Sequence, residues 1–208
     1  MIGFIVWAIT IFISITIHEL SHAWAADRLG DPTARLSGRL TLNPLAHYDP
    51  IGTTLLLVTA LLTSFPFGWA KPVPVDPYNL KNPKKDMALV SLAGPAANIL
   101  LAIILSVVTK LTSNPFTPSL ILNFVNSFII INVSLAIFNL IPVSPLDGGK
   151  IFLGLLPDRE ARQVELFLNH FGLFILLILI FPTFGGTSLI SLVISPLINF
   201  IIGLLGVR

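Results

Sequence analysis

The chain has 208 residues, of which 54% are apolar and 11% charged. A soluble domain carries about 25% charged residues, and a mean hydropathy of +0.90 places this chain in a bilayer instead. There is no cysteine, which excludes disulfides, thiolate zinc sites and cysteine nucleophiles and leaves any metal to His, Asp or Glu; the net charge of +2 decides little, because in membrane chains the side on which Lys and Arg lie matters more than their sum.

The first predicted element, Ile2 to Ala26, is long enough to span a hydrocarbon core at about 1.5 Å per residue. No basic residue precedes it and no small-residue cleavage site follows, so it reads as a retained helix and not a signal peptide. Its far half carries His18-Glu19-Leu20-Ser21-His22 in an otherwise apolar setting, where ionisable side chains are costly and rare. Two imidazoles four residues apart sit about 40° around a helix and about 6 Å along it, so both reach one cation. Zinc suits that set: it takes imidazole and carboxylate oxygen and, in catalytic sites, keeps one position open for water. Glu19 on the adjacent face can then take a proton from that water. Coordination to a dication offsets the burial of three polar side chains.

Next come a polar linker, Asp31 to Asp49, and an apolar stretch, Ile51 to Phe65, whose 15 residues are short for a crossing and suit a re-entrant or interfacial piece. His47 just before that stretch reads as an interfacial residue, and Trp24, Tyr48 and Trp69 suit interface anchoring. A second polar linker, Lys71 to Asp86, overlaps Trp69 to Val75, where Pro72 and Pro74 exclude a helix and predict an extended piece, an edge strand. Three further spans follow at Ala88 to Thr109, Leu120 to Ile141 and Val164 to Phe181, with a fifth at Ser188 to Leu205 that Pro196 would kink. The expectation is an all-α polytopic membrane protein: about five transmembrane helices, the short segment 51–65, and one domain over residues 1–208.

Two histidines leave a metal one protein ligand short. Asp147 is the candidate, on a turn before Gly148 and Gly149 where a span ends at prolines; the same residues also read as an ordinary interfacial turn. If 51–65 does not cross, Asp147 returns to the face nearer His18 and His22, and 11 of the 12 basic residues, Arg208 included, share that face with only Lys110 opposite. The positive-inside rule then makes that face cytoplasmic.

The His18 to His22 segment, Gly94-Pro95-Ala96-Ala97-Asn98 at the start of the next full helix, and the stretch Asn139 to Gly148 resemble, in that order, the three motifs of the site-2 protease family of intramembrane zinc metalloproteases. The resemblance implies a zinc endopeptidase that cuts transmembrane segments of protein substrates, in a compact form without a PDZ or CBS domain. It implies His18, His22 and Asp147 as Zn²⁺ ligands, Glu19 as general base, and Asn98 as an active-site polar group that bonds the substrate backbone or the developing oxyanion. Asn139 and Pro142 would shape the helix bearing Asp147, and the 69–75 piece would pair with a substrate strand. The competing readings are a zinc transporter or sensor without proteolysis, against which the helices from Val164 onward offer almost no polar path, and a silent scaffold, against which stands the intact Glu19.

Overall fold

The computed structural model describes residues 2–62, 68–114, 116–181 and 188–207. Its helices are α1 (Ile2–Leu29), the single turn α2 (Thr33–Leu36), α3 (Pro50–Leu62), α4 (Pro83–Thr112), α5 (Ser119–Asn139), α6 (Asp147–Leu155), α7 (Asp158–Ile180) and α8 (Leu189–Leu205). No strand occurs among the described residues. Helices α1, α4, α5 and α7 are long and apolar enough to cross a membrane, whereas α8 has 17 residues and α3 has 13. The protein is an all-α integral membrane protein, as its composition requires.

Helix α4 is the centre, packed against α1, α5 and α6. It begins at Pro83, ahead of the expected Ala88, because the Asn82 side chain caps the Lys85 N–H and Asp86 accepts from the Asn82 N–H in return. Gly94 and Pro95 therefore lie inside this helix and not at its start. Pro95 has no N–H to give the Ser91 carbonyl, so the ladder is interrupted beside the site.

Side-chain bonds fix the relative directions of three helices. Ser14, Asn98 and Asn132 meet at one level, and His22 meets Val90 at another. Residue numbers rise along α1 as they fall along α4, so these two run antiparallel and α1 and α5 run parallel. The chain thus leaves α1 and enters α4 at the same end, which means that α3 adds no net crossing. At about 1.5 Å per residue its 13 residues span about 20 Å, less than the hydrocarbon core. Residues 63–65 of the expected segment 51–65 lie outside the described residues.

Helix α1 is polar on its inner face and apolar on its outer one. Thr10, Ser14, His18 and His22, spaced by four, are buried, while Ile5, Ile9 and Ile13 on a neighbouring flank are exposed. Thr10 and Ser14 return their hydroxyls to carbonyls one turn earlier, which satisfies them where water is absent. Buried Ala23, Ala26, Ala102 and Ala136 let the helices approach closely. A larger apolar cluster of Ile129, Val133, Leu146, Leu176, Ile180 and Ile190 joins α5, α7 and α8 behind the site.

One expectation is corrected. Among the described residues the Trp69 to Val75 piece pairs with no strand: Pro72 and Pro74 lack donors, and the N–H groups of Lys71 and Val73 go to the His47 carbonyl and the Glu19 carboxylate. Arg208 itself lies outside the described residues, but the end of α8 before it sits at the Lys110 end of α4. There the Ser106 hydroxyl bonds the Leu205 carbonyl and Gly206 abuts Lys110.

Candidate metal centre

His18 and His22 project from one face of α1 with ring centroids 4.6 Å apart and planes perpendicular. Both are kept close to α4 by Gly94: a Cβ there would lie 2.6 Å from His22 and 2.7 Å from His18. Asp147 arrives from the other direction, as the first residue of α6. The chain turns back on the end of α5 through Gly148, whose Cβ would lie 2.3 Å from the Ile141 carbonyl oxygen. The turn between α5 and α6 is tolerated at membrane depth because its backbone bonds internally, Val143 to Ile141 and Leu146 to Val143. The site therefore lies well inside the helices. Its partners Val90 and Asn98 are about 10 Å and about 22 Å along α4 from Pro83.

Asp147 Oδ2 is 3.0 Å from His18 Nε2 and 3.2 Å from His22 Nε2. One ligand atom from each of the three residues falls within 4.8 Å of the others. Ligands about 2.05 Å from a tetrahedral zinc stand about 3.3 Å apart, so these spacings fit.

The hydrogen bonds at the other ring nitrogens decide what the centre needs. His22 Nδ1 lies 2.7 Å from the Val90 carbonyl oxygen, which can only accept, so Nδ1 carries the hydrogen. His18 Nδ1 likewise donates to Asn98 Oδ1 at 2.6 Å, the amide being oriented by its NH₂ group, which donates to the Ser14 carbonyl and to Asn132 Oδ1. With the hydrogen bonds made at Nδ1, each Nε2 is the ring atom left to face a metal beside the Asp147 carboxylate. The donor set of two imidazoles and a carboxylate is one that Zn²⁺ accepts.

The chain's similarity to known proteins agrees with this chemistry. The sequence model of peptidase family M50 matches residues 6–119 and 111–179. The chain belongs to that family, the site-2 proteases. It is 38% identical over 199 residues to "Putative zinc metalloprotease YwhC" of Bacillus subtilis, an alignment that covers 92% of this chain and 84% of the relative. Rip2 of Mycolicibacterium smegmatis, similarly described, is 32% identical over 151 residues, 71% of this chain and 56% of its own length. Zinc metalloprotease MJ0392 of Methanocaldococcus jannaschii is 25% identical over 158 residues, 74% of this chain and 36% of its own. No solved structure matches the chain significantly. Membership of M50 makes Zn²⁺ the cofactor.

A cavity of about 450 Å³ opens beside the centre, lined among others by Glu19, Trp69, Val73, Asn139, Asp147 and Lys150. Glu19 Oε2 accepts the Val73 N–H at 3.2 Å, which holds the carboxylate toward the cavity. Asn98 is fully buried, and its oxygen and both amide hydrogens are engaged within the protein, so no donor is left for a substrate carbonyl. Asn139 lines the cavity with one amide hydrogen on the Leu135 carbonyl and, among the described residues, no partner for the rest of its amide. His47 is buried. Its Nε2–H bonds the Thr41 carbonyl, and Arg39 beside it donates to the Lys71 carbonyl. Asn132 and Ser14, which orient Asn98, were not singled out from sequence. The four-residue spacing from Thr10 to His22 was a legible signal for Ser14, but nothing marks Asn132 among the other asparagines of α5.

Proposed function

We propose that the chain is an intramembrane zinc endopeptidase that hydrolyses a peptide bond within or beside a transmembrane segment of another protein. His18, His22 and Asp147 hold the metal, and the site faces the cytoplasmic side. The observation that carries the reading is the convergence of two Nε2 atoms and Asp147 Oδ2 at 3.0 and 3.2 Å beside a cavity that also holds Glu19. Zn²⁺, when bound, supplies Lewis-acid activation of a carbonyl and of water, whose pKa it can lower to about 7.

The protein's own groups do the rest. Glu19 takes a proton from the attacking water at a carboxylate oxygen and delivers it to the departing amide nitrogen as the C–N bond breaks. Asn98 orients His18, and Asn139 offers its other amide hydrogen to the substrate backbone, the role expected of Asn98. The substrate helix unwinds locally, because a helical peptide bond is shielded by its own hydrogen bonds. The orientation rests on the basic residues, which among the described residues all fall at the metal end of the helices except Lys110.

Glu19→Gln tests the reading. Zinc content of the purified protein should persist, while cleavage of a membrane-peptide substrate in detergent should fall at least 10²-fold. Undiminished cleavage removes Glu19 from the mechanism, and zinc flux in reconstituted vesicles would point to transport.

A further inference from the structure

The catalytic cavity shares part of its wall with another. A second cavity of about 410 Å³ opens beyond Met87 and Lys150, the two residues that line both. Both volumes fall in the roughly 300–1,000 Å³ range of ligand sites. The second is framed by the first turns of α4 and α7 and the body of α6, where Lys84, Asp158 and Arg162 stand. These are polar helix ends, so a polypeptide emerging from the membrane interior is hydrated there.

The charges of this second cavity are not all committed. Lys84 gives its ammonium to the Leu156 carbonyl at 2.8 Å and to Asp158. Arg162 and Glu165 stand one turn apart on α7 and offset each other in sign. Lys150 is exposed and has no hydrogen bond or ion pair among the described residues. Among those residues it is also the only Lys or Arg on the lining of the catalytic cavity. It follows Asp147 by three residues on α6, so the metal ligand and this free cation ride on the same helical turn.

We propose that the second cavity is a subsite for the flank of the substrate polypeptide as it leaves the catalytic cavity, and that Lys150 selects an acidic side chain in that flank. This rests on the peptidase reading of the first cavity, since it is the shared wall that makes a peptide, and not an anionic lipid, the occupant. A lone exposed charge pair changes affinity by about two- to fivefold, enough to rank substrates without being required for cleavage.

The test uses the full chain in detergent carrying Glu19→Gln, so that peptide is held without being cut. The probes are fluorescent apolar transmembrane peptides followed by a run of Glu, Gln or Lys. With Lys150 present, the Glu-flanked peptide should bind about two- to fivefold more tightly than the Lys-flanked one. Lys150→Gln should erase that preference and Lys150→Glu should reverse it. The Gln variant, a neutral change at an exposed position, keeps the comparison readable if the charge reversal disturbs folding. The same ranking of peptides in all three proteins overturns the proposal. Repeating the measurement in bilayers with and without phosphatidylglycerol adds a second arm. A preference that follows the lipid and not the peptide flank assigns the cavity to a headgroup and also overturns it. Failure of the peptidase reading looks different: the chain with Glu19 intact cuts none of the peptides, whatever their binding order.

Discussion

His18 and Asn98, 80 residues apart in the chain, are joined by a 2.6 Å bond from the imidazole Nδ1–H to the amide oxygen. That bond orients the ring so that Nε2 faces Asp147 at 3.0 Å. Asn98→Leu removes the acceptor and frees the ring. Zinc affinity, measured by competition with a chelator, should fall about 10- to 100-fold, with cleavage lost in step.

Asn132 acts one bond further away. Its Oδ1 accepts from Asn98 at 2.7 Å and its NH₂ donates to the Ser14 hydroxyl at 2.9 Å, so it prevents the Asn98 amide from flipping. Asn132→Leu should weaken zinc binding less than Asn98→Leu does. Because the two act through one imidazole, the double variant should bind zinc no more weakly than Asn98→Leu alone. Additive losses in the same competition assay would show that Asn132 does not work through Asn98.

Gly94→Ala separates helix propensity from site geometry. In an isolated helix, Ala is favoured over Gly by about 1 kcal/mol. Here the new methyl would lie 2.6 Å from His22 and 2.7 Å from His18, closer than carbon atoms approach, so the two rings must shift. The variant should therefore lose zinc, measured by metal analysis of the purified protein, while its circular dichroism stays helical.

Asp31 supplies a pH-dependent tie outside the membrane, between the end of α1 and the approach to α4. Burial alone would raise its pKa. Hydrogen bonds from the Thr33 hydroxyl, the Asn79 side chain and the Asp76 and Thr33 N–H groups outweigh that and hold it below the ordinary carboxylate value. A depressed folded pKa stabilises the protein above the unfolded value of about 3.9, and that stability is lost as pH falls through the folded value. Thermal denaturation should show Asp31→Asn less stable by about 1.5–3 kcal/mol at neutral pH. The gap should stay constant down to about pH 4 and close below it.

Much of this protein is legible residue by residue. Hydropathy alone marks α1, α4, α5 and α7, because a bilayer demands long uncharged runs whatever their neighbours are. His18, Glu19 and His22 are equally plain, since five residues of one helix carry their mutual geometry with them. Helix boundaries are less plain: the Asn82 cap moves the start of α4 ahead of its apolar run, which puts Gly94 and Pro95 inside a helix.

What the sequence determined by itself was local: which segments enter the membrane, and that two imidazoles and a carboxylate share one helical turn. Tertiary structure alone decided that Asp147 closes on them from α6 and that the Asn98 amide bonds His18. It also placed Lys150 at the wall between two cavities. Those are relations between helices, set by which faces pack together and by the Gly94 and Gly148 gaps that let them approach. No periodicity along one helix encodes the distance to another.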